Sequence, residues 1–446
     1  MSQPRVNPLF TLDPSRNYPT LVRGKGVYLY DDQGRQYLDA IAGIAVMSVG
    51  YGRQEIVDAM AVQAGDLPYV ASNVFSNAPA IRLAQRMVKK IPRLCASVHL
   101  TSGGSEAVET GIKICRQYFY DLGMAQKNLV ISRWTSYHGA TLGALSATGH
   151  GGRRKKFKPL LKDWPHIPPA YCYRCPYNAT YPACDIACAR ALEEKILEIG
   201  SDKIMAFIAE PVVGAAGGAL VPPPEYWPMI RDICTRHKVL LIADEVLTGF
   251  GRTGKMFALD HWDISPDLMI MAKGISGGYA PLGAIGVSHK IRSFFEACQT
   301  PLDHIFTFAA NPISSTAAEV VLDILEKESL VENARAVGQY MHTRLQTLKN
   351  YPFIGDIRGL GLMAGIELVR DKQTRRPFDS TAGMAIKISR IALKKGLVTY
   401  PGTGVVDGTS GDVISIFPPL IFSKDHVDEM ITKLESAIRE AFEEMN

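Results

Sequence analysis

Two residues of opposite charge follow two apolar segments of the chain and carry the clearest chemical signal. Asp244 follows the apolar run 239–243, and Lys273 follows a second apolar run, 268–272. A carboxylate and a lysine at neighbouring strand ends form either a salt bridge or the two poles of a pyridoxal phosphate site. In such a site the lysine forms a Schiff base, and the acid keeps the pyridine nitrogen protonated.

Two further segments are candidates for cofactor contacts. Gly104 and Ser105 open a helical segment, where free backbone N–H groups and the helix dipole favour a phosphate. A plain helix cap by Ser102 or Ser105 is the alternative interpretation. Tyr137 lies in a loop two residues before a glycine and could stack on a planar cofactor, with a core tyrosine as the alternative.

The elements that must position these residues follow an α/β pattern. From about residue 200 onward, continuous apolar runs typical of buried parallel strands alternate with amphipathic segments. The predicted strands cover residues 203–212, 239–246, 268–272 and 284–287. Residues 26–39 predict a β-hairpin, and residues 426–444 predict a closing amphipathic helix. In open α/β sheets ligands bind at the carboxyl ends of strands, where Asp244 and Lys273 are expected.

In combination, these motifs resemble the class III aminotransferases of pyridoxal-phosphate fold type I. Matching segments stand in the family's order over nearly the whole chain, at residues 101–107, 136–139, 210–211, 244–246, 249–254, 272–274, 307–308, 311–312 and 358–361. The resemblance implies a three-layer α/β fold, in which residues 61–320 form a large domain with a mainly parallel sheet. Residues 1–60 and 321–446 would then form a smaller α+β domain built from both termini.

The resemblance also implies pyridoxal 5′-phosphate as the cofactor and a role for each matching residue. Lys273 and Asp244 would be the catalytic pair: the lysine forms the Schiff base and moves the proton, and the acid binds the pyridinium nitrogen. The implied cofactor-binding residues are Gly104, Ser105, Tyr137, His138, Glu210, Asp244, Val246, Lys273 and Thr307. Thr307 would reach the site from a second subunit, so a homodimer with shared active sites is expected, with a dimer of dimers as a further option.

Three positions at which relatives carry an arginine lack one in this chain. Members that use glutamate or 2-oxoglutarate have an arginine in place of Ser415, and it pairs with the glutamate at the position of Glu210. Members that act on 4-aminobutyrate have one in place of Ala140, and amine transaminases have one in the loop 407–412. Leu247, which replaces the family's frequent glutamine, and the Gly-Asp pair before the closing strand look more like the pyruvate-dependent ω-amino acid and amine transaminases.

The missing arginines leave open how a substrate carboxylate is bound. An unpaired buried carboxylate costs several kcal/mol, so a carboxylate substrate needs a cation. Arg153 and Arg154 are the candidates. The alternative interpretation of the basic run 153–156 is a solvated face.

The sequence thus predicts a pyridoxal-phosphate-dependent aminotransferase. It would move an amino group from an amine or ω-amino acid to an oxo acid such as pyruvate in a ping-pong reaction. The alternative is a lyase or epimerase of the same family, which needs no acceptor and therefore no arginine in place of Ser415. A non-enzymatic cofactor-binding relative is disfavoured, because Lys273, Asp244 and the phosphate residues are all present.

A cluster of four cysteines is the second unusual feature, formed by Cys172, Cys175, Cys184 and Cys188. Their spacing suits a tetrahedral zinc site, and the alternative is a surface insertion with reduced or adventitiously paired thiols. Neighbouring tyrosines and prolines favour a compact structural loop over a catalytic one. No metal is expected at the catalytic site.

Composition and charge exclude several classes of protein. Of 446 residues, 47% are hydrophobic and 21% are charged, and the formal net charge is +5. These values exclude a disordered, collagen-like or coiled-coil chain, and the small charge excess argues against a nucleic-acid partner. No apolar run reaches the roughly 18 residues of a membrane span, and residues 1–10 lack the features of a signal peptide. A cytoplasmic protein with small-molecule substrates and no membrane partner is expected.

Overall fold

The computed structural model describes Phe10, Asp13, residues 16–91 and residues 95–444. The segment 1–10, in which the sequence predicts no signal peptide, therefore lies outside the described residues except for Phe10. None of the helices within the described ranges has both the length and the apolar character to cross a membrane.

Strands and helices alternate along the described chain. In chain order, the strands are β1 (Leu21–Lys25), β2 (Tyr28–Asp31), β3 (Gln36–Asp39), β4 (Cys95–Thr101), β5 (Leu129–Arg133), β6 (His166–Ile167), β7 (Ile204–Ala209), β8 (Leu240–Asp244), β9 (Leu268–Met271), β10 (Gly283–Ser288), β11 (Ile354–Gly359), β12 (Ala364–Leu368), β13 (Leu397–Val398), β14 (Tyr400–Thr403) and β15 (Asp412–Ile416). The α-helices are α1 (Ala42–Ala45), α2 (Gln54–Asp66), α3 (Ala78–Lys90), α4 (Gly104–Asp121), α5 (Leu142–Ala147), α6 (Gly151–Arg154), α7 (Ala187–Ile199), α8 (Tyr226–Arg236), α9 (His289–Cys298), α10 (Pro312–Lys327), α11 (Leu330–Gln346), α12 (Met384–Lys394) and α13 (Lys424–Glu443). Short 3₁₀-helices occur at Lys155–Leu160, Cys172–Arg174, Ala258–His261, Lys273–Ile275 and Thr347–Asn350.

A seven-stranded sheet lies at the centre of the fold. Its strand order is β4-β10-β9-β8-β7-β5-β6. Strand β10 is antiparallel to both neighbours, and the pairs from β9 to β6 are parallel. The four predicted strands are confirmed as β7, β8, β9 and β10. Because Asp244 pairs with Ile270, the carboxyl ends of β8 and β9 lie side by side.

Helices cover both faces of this sheet, which gives the three layers that the resemblance implies. Successive residues of a strand point to opposite faces. In β7, Ala206 and Ile208 pack into a core cluster with residues of α4, whereas Phe207 and Ala209 pack with residues of α7 and α8. Strands that are buried on both faces have continuous apolar sequences, which explains why these strands are recognisable from the sequence.

Two four-stranded sheets complete the fold. Strands β1, β2 and β3 are antiparallel, and β13 joins β3 in parallel, so strands from distant parts of the chain share one sheet. The other sheet, β11-β12-β15-β14, is antiparallel throughout. The predicted hairpin over 26–39 is confirmed as β2 and β3. The domain boundaries after residues 60 and 320 stay a prediction, and residue 320 lies inside α10.

The predicted closing helix is confirmed as α13. Its N-cap Ser423 accepts a hydrogen bond from the backbone N–H of His426, which begins the helix as a capping interaction predicts. The apolar residues expected on one face are all buried, and they are Val427, Met430, Ile431, Leu434 and Ile438.

Candidate active site

A cavity of about 530 Å³ lies at the carboxyl ends of β8 and β9. Asp244 is the last residue of β8, and Lys273 follows β9 by two residues. Ser105 lies in the first turn of α4, and all three residues line the cavity. The parallel pairing of β8 and β9 therefore brings the acid and the lysine together, and α4, which follows β4 of the same sheet, adds the candidate phosphate segment.

Asp244 is a buried carboxylate held in one orientation by two hydrogen bonds. Its Oδ2 lies 2.7 Å from Nδ1 of His138, which is also buried. Its Oδ1 accepts a hydrogen bond of 3.1 Å from the backbone N–H of Val246. Nε2 of His138 is buried and has no hydrogen-bond partner among the described residues. The carboxylate is thus fixed at the cavity wall, with Val246 beside it.

Lys273 combines an unusual backbone conformation with a weakened proton affinity. Its φ of 48° lies in the left-handed region, which non-glycine residues adopt mainly where the surrounding structure compensates the strain, often at functional sites. Burial lowers the pKa of its ammonium group to about 8, and the charge of Asp244 opposes that shift. Within the described part of the chain, Nζ of Lys273 has no hydrogen-bond partner. The amine is therefore available to react.

The first turn of α4 forms a cradle of backbone. The N-cap is Gly103, and no side chain caps this helix, so the alternative of a cap by Ser102 or Ser105 is wrong. A Cβ atom at Gly104 would lie 3.1 Å from Cγ1 of Val246, and one at Gly139 would lie 2.6 Å from Oγ of Ser105. Only glycine leaves this space open, and uncapped N–H groups at a helix N-terminus suit a phosphate.

Tyr137 connects the cavity with Glu210. Its ring lines the cavity and also packs against a small buried cluster, so the cofactor-stacking and core interpretations both describe part of its surroundings. Its backbone N–H donates to Oε1 of Glu210 at 3.0 Å, and the N–H of Gly214 donates to Oε2 at 2.7 Å. Burial raises the pKa of the Glu210 carboxyl. Both carboxylate oxygens of Glu210 are therefore satisfied by the backbone.

The structure separates the two arginine candidates and places Thr307 away from this cavity. Arg153 lines the cavity, whereas Arg154 donates to the main-chain oxygens of Ser146 and Thr148 at 2.6 Å each. Thr307 does not line the cavity of its own chain, and its carbonyl oxygen accepts a hydrogen bond from an exposed tyrosine. One chain thus brings together all the predicted site residues except Thr307.

Two further segments line the cavity, and the sequence indicates the first of them, residues 43–46, as a segment that shapes the pocket. Residues 42–45 all have positive φ, and Gly43 and Ile44 from this left-handed turn line the cavity. Tyr400 lines it from β14 and pairs with Ser415 across the ladder between β14 and β15. The proline-glycine pair after Tyr400 indicates a bend near this strand but not its neighbours, because strand pairing is non-local.

The four clustered cysteines lie apart from the catalytic residues. They line one very small cavity, and all four thiols are free. Among the described residues, no group of three or more histidine, cysteine, aspartate or glutamate side chains could hold a metal ion. The same segment contacts the antiparallel sheet, because Tyr171 and Arg174 both bond to Glu367 of β12.

These residues fit pyridoxal phosphate. A reactive lysine amine, a fixed carboxylate and a cradle of uncapped N–H groups surround one cavity, and a tyrosine and Val246 line it as well. A structural salt bridge would need the Lys273 amine within 4.0 Å of a carboxylate, and no such pair occurs among the described residues. The salt-bridge alternative is therefore wrong for Lys273.

Known proteins are similar to this chain over almost its whole length. A family model described as Aminotransferase class-III matches residues 13–438. An uncharacterized aminotransferase of Schizosaccharomyces pombe is 37% identical over 437 residues, which cover 97% of this chain and 95% of that protein. The putrescine–pyruvate aminotransferase of Pseudomonas aeruginosa is 35% identical over 416 residues, which cover 92% of this chain and 88% of that protein.

Solved structures of transaminases share the fold. An (S)-enantioselective omega-transaminase from Thermomicrobium roseum has a TM-score of 0.91 at 35% identity and covers 98% of this chain and 96% of its own. A PLP-bound amine transaminase from an uncultivated Pseudomonas species has a TM-score of 0.92 at 35% identity and covers 99% of both chains.

Proposed function

Because the chain belongs to the class III aminotransferase family, we propose that it carries out a ping-pong reaction in which an amine or ω-amino acid gives its amino group to pyruvate. The enzyme class follows from the family. It is a pyridoxal-phosphate-dependent aminotransferase that transfers amino groups to an oxo acid. The identities of donor and acceptor are the proposal.

The observation that carries the proposal is the set of hydrogen bonds that the Glu210 carboxylate accepts. In relatives that use glutamate or 2-oxoglutarate, this glutamate pairs with an arginine at the position of Ser415. Here Glu210 accepts two backbone hydrogen bonds instead, and Ser415 is a small buried residue with an unpaired hydroxyl. A donor or acceptor with two carboxylates would lack its usual partner, which favours amines and pyruvate.

Each of the chain's own residues has a defined task in this reaction. When bound, pyridoxal phosphate supplies an electron-withdrawing ring that weakens bonds at the carbon bearing the amino group. Lys273 would hold its aldehyde carbon, Asp244 its ring nitrogen, and Gly104 and Ser105 its phosphate. With a pKa of about 8, Nζ of Lys273 can take up and return a proton near neutral pH. His138 keeps the Asp244 carboxylate oriented.

Similarity to the putrescine–pyruvate aminotransferase supports pyruvate as the acceptor, and similarity to amine transaminases supports an amine donor. No observation on the described residues favours the lyase or epimerase alternative. A non-enzymatic relative is also disfavoured, because the reactive amine of Lys273 and its surroundings are intact.

We also propose that two copies of the chain form a homodimer in which Thr307 completes the site of its partner. Thr307 lies outside the cavity of its own chain. Phe308, the next residue, and Tyr69, which bonds to Thr307, are both exposed. Exposed apolar surface of this kind marks an interaction site. The cytoplasmic location stays a prediction.

A panel of amines mixed with pyruvate or 2-oxoglutarate tests the proposed substrates. We expect alanine to form in equal amount to the amine consumed with pyruvate, and little transfer to 2-oxoglutarate. Ammonia released without any acceptor would instead support the lyase alternative.

The Lys273→Ala variant tests the catalytic assignment in the same assay. It should lose turnover and the absorbance of lysine-bound cofactor, because Lys273 is the one lysine that the described residues place at the cavity. Lys255→Ala is the matched control, because Lys255 is exposed and does not line the cavity. Retained turnover in Lys273→Ala would overturn the assignment.

A further inference from the structure

We propose that Arg153 binds the carboxylate of pyruvate and of ω-amino acid substrates, and so replaces the arginines that relatives place on other elements. The inference rests on the proposed function, because it names the anion subsite of that same cavity. It assigns recognition of the substrate carboxylate to α6, which contains none of the three positions at which relatives carry an arginine.

The guanidinium of Arg153 is fixed by two aromatic side chains. It lies 4.6 Å from the centroid of the Tyr137 ring. Its Nη2 donates to the hydroxyl of Tyr400 at 2.8 Å. Both tyrosines line the cavity with Arg153, so the planar group is held at the cavity wall in a defined orientation.

Arg153 has no anionic partner of its own. Among the described residues, no carboxylate lies within 4.0 Å of it, and Tyr400 is the one hydrogen-bond partner of its guanidinium. Arg154 is different, because main-chain oxygens occupy its guanidinium. The cationic residues lining the cavity are Lys273 and Arg153, and the lysine is committed to the cofactor. Arg153 therefore supplies the cavity's free positive charge.

The positive charge of Arg153 acts on the amine of Lys273. Burial is the main cause of the low pKa of Lys273, and the positive charge of Arg153 acts in the same direction. Arg153 and Lys273 line the same cavity, so a carboxylate bound to Arg153 would lie in the cavity that contains the reactive amine.

The packing of the loop 404–411 explains how Arg153 takes this position. A Cβ atom at Gly151 would lie 3.1 Å from Cα of Gly408, so the loop and α6 meet through two glycines. Nε2 of His150 also lies 3.1 Å from the carbonyl oxygen of Thr403. The loop that carries an arginine in amine transaminases thus packs against the helix that carries Arg153 here.

Ser415 and Tyr400 are the second reason why Arg153 can replace the relatives' arginines. They are paired residues of β14 and β15, and directly paired residues of antiparallel strands share a face. Position 415 holds a small buried serine, and its paired neighbour Tyr400 holds Arg153 from the same sheet. The sheet still contributes to the anion subsite, but through a hydroxyl.

An exposed arginine also explains how one cavity accepts donors with and without a carboxylate. Arg153 is exposed, so it stays hydrated when a donor without a carboxylate is bound. A guanidinium can form two parallel hydrogen bonds to a carboxylate, which makes it selective for that group. No movement of an arginine into or out of the site is required.

Equilibrium binding of propionate to the holoenzyme tests the proposal without turnover. Propionate has the carboxylate but neither an amine nor an oxo group, and its binding is followed by the change in cofactor absorbance. In Arg153→Gln we expect the dissociation constant to rise about 10- to 100-fold, because a charge-assisted pair is lost. Binding of propionamide, which is neutral, should change less than about twofold. Arg153→Lys should give an intermediate loss, because an ammonium keeps the charge but not the paired geometry.

Lys156→Ala is the charge-matched control, because this exposed lysine does not line the cavity. It should bind propionate like the unaltered enzyme. Unchanged propionate affinity in both Arg153 variants would overturn the proposal, and so would an equal loss for propionamide. Failure of the proposed function is recognised separately, because the unaltered enzyme would then not convert any amine with pyruvate.

Discussion

Burial and the neighbouring carboxylates act in opposite directions on the pKa of Lys273, and their balance sets the reactivity of its amine. Removal of water disfavours the ammonium form, whereas the carboxylates of Asp244 and Glu210 favour it. Burial dominates, and the pKa falls from 10.5 to about 8. The sequence alone indicates the lysine and its acid, but not this balance, because burial depends on residues far apart in the chain.

The lowered pKa predicts how fast the cofactor-free protein captures pyridoxal phosphate. Only the neutral amine attacks an aldehyde, so the rate should rise about tenfold per pH unit below pH 8 and level off above it. Stopped-flow absorbance measures this rate, with a free lysine derivative as the control for titration of the cofactor itself. A rate that keeps rising to pH 10, as for the free amine, would contradict the lowered pKa.

A buried ionic cluster fixes the cysteine segment to the antiparallel sheet. Glu367 of β12 pairs with Arg358 at 2.7 Å and with Arg174 at 2.5 Å, and it also bonds to Tyr171. Arg358 donates in addition to the carbonyl oxygens of Gly217 and Gly218. The family's Arg358 motif therefore serves packing between elements in this chain, outside the catalytic cavity.

Glu367→Gln tests this cluster. The substitution removes the carboxylate partner of Arg174 and leaves Arg358 paired with Asp356 alone, at 3.0 Å. We expect the free energy of unfolding to fall by about 3 kcal/mol. Denaturant unfolding measures the change. Glu440→Gln is the control, because Glu440 forms a partly exposed pair with Lys395 at 2.7 Å and should contribute less than about 1 kcal/mol. Similar effects of the two substitutions would show that burial does not strengthen the Glu367 cluster.

Local patterns in the sequence predicted most elements that carry the site. Continuous apolar runs indicate β7 to β10, and the spacing of Val427 to Ile438 indicates the buried face of α13, because both patterns are set by neighbours in the chain. The left-handed turn at 42–45 carries no such pattern, since only one of its residues is glycine. The meeting of Arg153, Tyr137 and Tyr400 depends on strand pairing and loop packing between distant segments, which the sequence does not specify locally.

At the scale of the whole molecule, the described chain leaves apolar side chains exposed near Thr307. Val74 is 64% exposed, Phe75 63% and Phe308 61%. The ring of Phe308 lies 5.9 Å from that of Tyr69, whose hydroxyl donates to the carbonyl oxygen of Thr307 at 3.0 Å. A second copy that covers this surface would bury it and bring Thr307 to the partner's phosphate site.

Mixed dimers of two inactive variants test whether the active sites are shared. Lys273→Ala removes the reactive amine, and Thr307→Glu places a negative charge against the phosphate, so each homodimer should be inactive. In a mixed dimer with two different affinity tags, one site contains the intact Lys273 of one chain and the intact Thr307 of the other. We therefore expect about half of the activity of the unaltered dimer. If Thr307 served its own chain, neither site of the mixed dimer would be intact and no activity would return. If the Thr307→Glu homodimer were active, Thr307 would not contact the phosphate at all.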